Sequence, residues 1–451
     1  MKPDTNTLYY GDCLDWMSRW DDETIDLIYL DPPFNSNAHY NVLFDRESLG
    51  GEYRAFIDTW TWDEEASKRL NNYKNSVGKP AYRTIDGFYT ILGESGMLSY
   101  LTYMAERLEH MHRLLKPTGS IYLHCDPTAS HYLKVIMDCI FNNKKSYFNE
   151  IIWTYGLGGS SPKAWSKKHD VILFYKKSKD AYFDKPLMPS TSQRMAGKPK
   201  GMIDVWTDIP SLNNQSKERT GYPTQKPIAL LDRIIEASTP KDGIVLDPFC
   251  GCGTTIKSAI KMGRKWAGID ISSFAIDLIM KERLKDERIV AKGIPRDLRS
   301  AKKLAKEHPF DFESWAITRL PGFTPNKKKV ADRGVDGRAK LASKPDDFDS
   351  TLALAQVKGG EGYTMSQLMD IIGVNHREAA ALGRYITLIS KITPSAKREC
   401  LGQGEIIVQG ISYPRMKMWS IEEYFDNIDA DLPIMNDPYT GKSLDQHTMF
   451  E

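Results

Sequence analysis

Two short apolar runs, each closed by an aspartate and a proline, constrain this chain more than any other feature. In TIDLIYLDPPF (24–34) the run stops at Asp31-Pro32-Pro33, because proline has no N–H to give a sheet ladder. In GIVLDPFCGCGTT (243–255) it stops at Asp247-Pro248, then turns through Gly251 and Gly253 into the helical pattern IKSAIKMG. KWAGIDIS follows as a third apolar run, carrying Asp270 at its end. Apolar runs bounded by breakers and alternating with amphipathic helices read as strands buried on both faces. The expectation is an α/β fold on a mostly parallel sheet.

Elsewhere the pattern is uneven. Leu101, Met104, Leu108, Met111 and Leu115 predict a core-facing helix, ended by Lys116-Pro117-Thr118-Gly119 and followed by the strand GSIYLHCD. From about Tyr155 to Tyr222 regularity is lost. That segment holds GLGGSSPK, SKKHD, YKKSK and RMAGKPKG, with Trp165 and Trp206 among the charges. Basic sequence with interleaved aromatics suits a nucleic-acid-contacting insert, although a solvated loop has the same composition. PIALLDRIIEAST resumes helical spacing. Residues 286–309 read as a charged helical linker, 310–425 as a second, smaller α/β domain, and 426–451 as a poorly ordered or docking tail.

At 451 residues, two or three domains are expected. A composition of 41% hydrophobic and 27% charged residues excludes collagen-like and mostly disordered classes. The net charge of +2 says little, since a balanced total hides local basic patches. No apolar run reaches the roughly 18 residues of a membrane span. The start, MKPDTNTLYYGD, lacks an apolar signal core, so the cytoplasm is the expected compartment. Six cysteines without a CxxC pair or a companion histidine argue against disulfides and zinc.

The two aspartate–proline motifs carry chemistry. Asp31 stands at a strand end followed by two prolines with fixed φ, so the carboxylate is held rigid and the proline carbonyls stay free as acceptors. Phe34 adds a flat face beside them, suited to a planar base with an exocyclic NH2. In the second motif Gly251 and Gly253 allow close approach of a ligand, and the helix start at Thr254 points N–H groups at it. Asp270 lies where a carboxylate grips a ribose diol in nucleotide-binding αβ units. The loop is too short for a triphosphate P-loop, so a cationic nucleoside fits better, with Asp247 facing its charge.

These residues resemble the DNA amino-methyltransferases, the N6-adenine and N4-cytosine enzymes, in which DPPF or DPPY is catalytic and D-x-F-x-G-x-G binds S-adenosylmethionine. Here the catalytic motif comes first, the order of the circularly permuted beta class. Thr224-Gln225-Lys226-Pro227 resembles the TEKP-like motif, and Tyr10-Gly11-Asp12-Cys13 the segment whose Asp approaches the cofactor adenine. The resemblance covers about residues 6–285. It implies a Rossmann-like methyltransferase sheet with catalytic Asp31, Pro32, Pro33 and Phe34. It implies S-adenosyl-L-methionine bound by Asp12, Cys13, Lys226, Asp247, Phe249, Gly251, Gly253, Thr254 and Asp270. Double-stranded DNA is the implied partner, with a homodimer or a restriction subunit as the assemblies to consider. A base must be flipped out for its amino nitrogen to be reached, and stacking on Phe34 offsets part of that cost. An Asp start favours adenine N6 over cytosine N4.

In the second domain FESWAITRLPG reads as a helix bearing Glu313. Asp336 sits between Gly334 and Gly337, and Gln356 and Lys358 share one face of a strand. This set resembles the Mrr-like branch of the PD-(D/E)xK nucleases, with Gln where Glu is commoner. It implies a nuclease-like fold over roughly 310–420 and a Mg2+ ion at Asp336. A DNA-binding module without cleavage is the alternative.

Overall fold

The computed structural model describes residues 1–33, 60–75, 80–141, 146–156, 162–190, 197–213, 216–220, 222, 224–284, 289, 291–326, 334–360, 362–388, 391–436 and 443–444. Phe34 lies outside them. The described residues fall into two compact units. One runs to Lys292 apart from Ser272–Phe274; the other takes those three and the residues from Gly293 onward.

The first unit is built on an eight-stranded sheet of β1 (Thr7–Tyr10), β2 (Ile25–Leu30), β3 (Leu115–Cys125), β4 (Tyr147–Thr154), β5 (His169–Lys176), β8 (Val205–Trp206), β9 (Ile244–Asp247) and β10 (Lys265–Asp270). Its order is β1-β10-β9-β2-β3-β5-β4-β8, and β6 (Leu187–Pro189) pairs with β7 (Pro199–Gly201) in a separate ribbon. From β1 to β3 every pair is parallel, while β5 runs antiparallel to β3 and β4. The β2 strand is buried throughout, as an unalternating apolar run requires when helices cover both faces of a sheet.

Although β2 and β9 are far apart in sequence, they are neighbours, with Ile28 opposite Leu246. Asp26 ties three strands together at the other end: it accepts from Lys116 Nζ at 2.7 Å and from the Ile244 N–H at 2.9 Å. The helix expected around Leu101–Leu115 spans Gly96–Leu114 and buries that stripe. Lys116-Pro117-Thr118-Gly119 does not separate it from the strand, however. Ile25 pairs with Leu115 and Leu27 with Ser120, so these four residues bulge out within β3.

The second unit holds a mixed sheet of β11 (Thr324–Pro325), β12 (Gly337–Lys340), β13 (Leu352–Lys358), β14 (Leu382–Thr387) and β17 (Met416–Ser420), in that order. The β15 (Glu405–Val408) and β16 (Ile411–Pro414) strands form a hairpin beside it. The residues read as a linker divide differently. The unit boundary falls after Lys292, and helix Leu298–Glu307, which buries Ala301 and Ala305, packs on helix Pro309–Ile317. That alanine face was hidden by the lysines around it. The start of the expected tail is docked. The Arg384 guanidinium is fully buried and donates to the carbonyls of Ala430 (2.7 Å) and Asp431, and burial pushes it down to about 10.

Candidate active site

Four parallel strands of the first unit end side by side, and each end carries an aspartate. Asp12 follows β1, Asp270 closes β10, Asp247 closes β9 and Asp31 follows β2. The carboxyl ends of parallel strands are where open α/β sheets present their ligand-binding crevice.

Lys226 joins the two distant motifs. Its Nζ donates to both oxygens of Asp31, at 2.9 and 2.7 Å, and both side chains are largely buried. A braced turn delivers this lysine. Gln225 accepts from the Thr220 N–H and hydroxyl at 2.9 Å and donates to the Glu218 carbonyl at 2.7 Å. Thr224 sits at φ 60°, a left-handed conformation that costs a β-branched residue energy. Pro227 then caps helix Ile228–Ser238.

Beside Asp31, Asp247 is almost fully buried, accepting from Thr255 Oγ1 at 2.5 Å and the Phe249 N–H at 3.1 Å. Burial pushes its carboxyl up to about 7, against the pull of those two hydrogen bonds, and the charges of Asp31 and Asp270 add to the rise. Asp270 accepts the Gly251 N–H at 2.7 Å, which fixes the glycine loop to the end of β10. Gly251 and Gly253 have φ of 48° and 73°, and a Cβ at Gly251 would lie 3.2 Å from the Tyr222 ring. Thr254 opens helix Thr254–Lys261, and Phe249 packs against the core.

The model described as DNA methylase (N6_N4_Mtase) matches residues 25–281, more than half of the chain. The chain belongs to the DNA methylase family. It is 30% identical over 272 residues to the type II methyltransferase M.HpaI of Haemophilus parainfluenzae, covering 56% of this chain and 84% of the relative. It is 26% identical over 293 residues to the DNA adenine methyltransferase YhdJ of Escherichia coli, covering 60% and 80%. The solved PvuII DNA methyltransferase, cytosine-N4-specific, aligns at a TM-score of 0.41 and 13% identity, covering 69% of this chain and 94% of that one.

Sequence reasoning missed Arg107 of this methylase. It lies in helix Gly96–Leu114, where apolar spacing gives no hint of it. Its buried guanidinium clasps both oxygens of Asp12, at 2.7 and 2.5 Å, and stacks 3.3 Å over the Tyr103 ring. Asp12 also accepts the Leu14 N–H at 2.8 Å and so caps helix Cys13–Ser18. Cys13 is buried, its thiol pushed up to about 12 by desolvation. Cys250 and Cys252 are buried free thiols, and Cys250 packs on Gly268.

The insert of the methylase contributes two different tryptophans. Trp206 is buried on β8 with Arg233 lying over its ring at 4.9 Å, so it belongs to the core. Trp165 is 97% exposed in the connection between β4 and β5.

In the second unit Asp336 is buried just before β12, and its Oδ2 accepts the Val357 N–H at 2.7 Å. Gln356 and Lys358 flank that amide on β13; Glu313 lies on helix Pro309–Ile317, which packs against β13. Among the described residues, buried Gln356 Oε1 has no hydrogen-bond partner. No group of three or more Asp, Glu, His or Cys side chains suited to a metal ion exists among the described residues. At the expected Mg2+ position, Asp336 Oδ2 is engaged by the Val357 N–H.

Proposed function

We propose that this methylase transfers a methyl group from S-adenosylmethionine to N6 of a flipped adenine in double-stranded DNA, as the modification activity of a restriction–modification system. The observation that carries the reading is the Lys226–Asp31 pair on the strand end beside buried Asp247 and loop-fixing Asp270.

The residues suit the cofactor. Left-handed Gly251 forms a cradle that a Cβ would fill, and Asp247 supplies a carboxylate that a neighbouring cation would ionise. Gly251, Gly253 and Thr254 would hold it from the loop, Phe249 and Asp270 from the strand ends, and Asp12 with Cys13 from the first helix. S-adenosylmethionine brings a methyl group already activated by its sulfonium charge. The chain's own work is positioning and fixed dipoles. Asp31 and the Pro32 carbonyl accept from the amino group and hold its lone pair out of ring conjugation, with Pro33 following them; the stacking role falls to Phe34, which lies outside the described residues. An Asp at the head of the motif favours adenine over cytosine N4. Purified protein, methyl-labelled S-adenosylmethionine and unmethylated plasmid test this, followed by nucleoside analysis. N6-methyladenine is expected; label in N4-methylcytosine overturns the base assignment, and no label overturns the reading.

A second reading applies to the second unit, where Gln356 Oε1, without a hydrogen-bond partner among the described residues, stands next to the Val357 amide that Asp336 accepts, with Lys358 on its other side. Together with Glu313 these are the candidates for a Mg2+-dependent DNA-cleaving site. Plasmid cutting that needs Mg2+ and is lost in Asp336→Ala supports cleavage; its absence leaves the unit as a DNA-binding module.

A further inference from the structure

The aspartates at the strand ends are tied down in different ways, and Asp12 is held by a cation from the interior. Arg107 comes from helix Gly96–Leu114, 95 residues along the chain, and its side chain is 4% exposed where that of Asp12 is 31% exposed. The ion pair is one-sided: the guanidinium is inside and the carboxylate reaches solvent at the strand ends. Arg107 is also fixed. Nη2 donates to both oxygens of Asp12, at 2.7 and 2.5 Å, and Nη1 donates to the Tyr103 carbonyl at 3.1 Å, one turn back on its own helix. The Tyr103 ring lies 3.3 Å from the guanidinium. Asp12 Oδ1 takes the Leu14 N–H as well. A carboxylate oxygen offers two lone pairs, so Oδ2 keeps a place for one more donor beside the guanidinium. The turn that carries Asp12 is anchored to the cofactor half of the sheet. The Gly11 N–H donates to the Asp270 carbonyl at 3.0 Å, and Trp16 Nε1 donates to the Tyr10 carbonyl at 2.9 Å.

We infer that Arg107 is the positioning residue for the nucleoside half of S-adenosylmethionine, acting through Asp12. It aims the Asp12 carboxylate and balances its charge, so Asp12 serves as a hydrogen-bond acceptor for a neutral donor of the nucleoside. The cationic amino-acid end falls to Asp247, whose carboxylate accepts from a hydroxyl and an amide. A carboxylate already paired with a cation attracts a second one far less than a carboxylate held by neutral donors. One that is fixed beforehand also loses little freedom when the ligand arrives. Lysine could carry the same charge, but it has no plane to lie on Tyr103 while reaching the Tyr103 carbonyl and Asp12 together.

This role rests on the cofactor reading of the strand ends, and ligand binding tests it apart from methyl transfer. Full-length wild type, Arg107→Met, Arg107→Lys, Asp12→Asn, the Arg107→Met/Asp12→Asn double variant and Asp247→Asn are compared by equilibrium dialysis. The probes are S-adenosylmethionine, S-adenosylhomocysteine and methylthioadenosine, which keeps the nucleoside and lacks the amino-acid end. Urea unfolding in parallel reports whether each variant is folded. Arg107→Met is expected to weaken all three probes by a common factor of about tenfold, and Arg107→Lys by a smaller common factor. In the Asp12→Asn background the same Arg107→Met change should cost less than about twofold. Asp247→Asn should weaken the two probes that carry the amino-acid end and spare methylthioadenosine. Folded Arg107→Met and Arg107→Lys proteins that bind all three probes as wild type does make Arg107 a strut between helices and overturn the inference. If Arg107→Met does not fold, Arg107→Lys decides alone. A loss that spares methylthioadenosine, or one equally large in the Asp12→Asn background, overturns it too. A wild type that binds S-adenosylmethionine yet labels no DNA refutes the proposed function, not the role of Arg107.

Discussion

Lys226 Nζ stands 2.7 Å from Asp31 Oδ2, a bond between the turn before helix Ile228–Ser238 and the end of β2. It makes the two motifs one site. Asp31→Ala should abolish methyl transfer while cofactor affinity stays within about twofold, because the proposed function sets Asp31 against the base and not the cofactor. Stability should fall by about 1–3 kcal/mol, since a buried ammonium loses a charged partner. Single-turnover labelling, equilibrium dialysis and urea unfolding measure the three. Lost cofactor affinity would contradict this division of roles.

Asp247 predicts a pH dependence. Its folded carboxyl titrates at about 7 against an ordinary value of 3.8. The folded state therefore holds the proton more tightly than the unfolded chain. This group's contribution to stability is complete below about pH 4 and is lost as pH rises through about 7. A bound cation favours the ionised form, so affinity for S-adenosylmethionine should rise with pH, by at most about tenfold per unit, and level off above about 7. Asp247→Asn should flatten that profile. A wild-type profile that is level from pH 5.5 to 8 would rule the linkage out.

The strand ends were legible because buried parallel strands need continuous apolar runs, and proline and glycine mark where they stop. Hence Asp31, Asp247 and Asp270 could be placed from sequence, and so could β13. Arg107 was not legible, because a buried cation inside an amphipathic helix is indistinguishable from a solvated one until its carboxylate partner is known. His124 stands in the strand read as GSIYLHCD, where nothing marked it, and Asp170 in β5, a buried strand inside the segment 155–222 that read as an irregular basic insert. In the segment read as a charged helical linker, lysines dominate the composition and leave unmarked the two alanines, Ala301 and Ala305, that helix Leu298–Glu307 buries. Trp206 and Trp165 look alike in a basic segment; only pairing of β8 with β4 tells core from surface.

Gly251→Ala tests the glycine cradle. At φ 48° an L-residue is disfavoured, and its Cβ would press the Tyr222 ring at 3.2 Å. The loop should shift away from the Asp270 carboxylate, weakening cofactor binding about tenfold or more at a stability cost of about 1 kcal/mol. Tyr222→Leu in the same protein should recover part of the affinity by relieving the contact. No recovery would mean that backbone strain alone is responsible.

Trp165 makes the substrate prediction. A fully exposed tryptophan is uncommon on a monomeric surface, and this one lies near Lys163, Lys167 and Lys168. Its connection closes where the Tyr155 N–H meets the Lys168 carbonyl at 3.0 Å, beside the Tyr155–Asp170 contact. An aromatic carried among lysines can stack on a base once the lysines have met the phosphates. The two contributions separate by salt. Trp165→Ala should weaken DNA binding by about 1–3 kcal/mol with the slope of log affinity against log salt unchanged, since no counterion is released by an indole. Lys167→Ala and Lys168→Ala should each flatten that slope by about one unit. Filter binding across a salt series reads both. A Trp165→Ala protein with unaltered affinity would make the exposed ring a feature of the free surface and remove this segment from the DNA path.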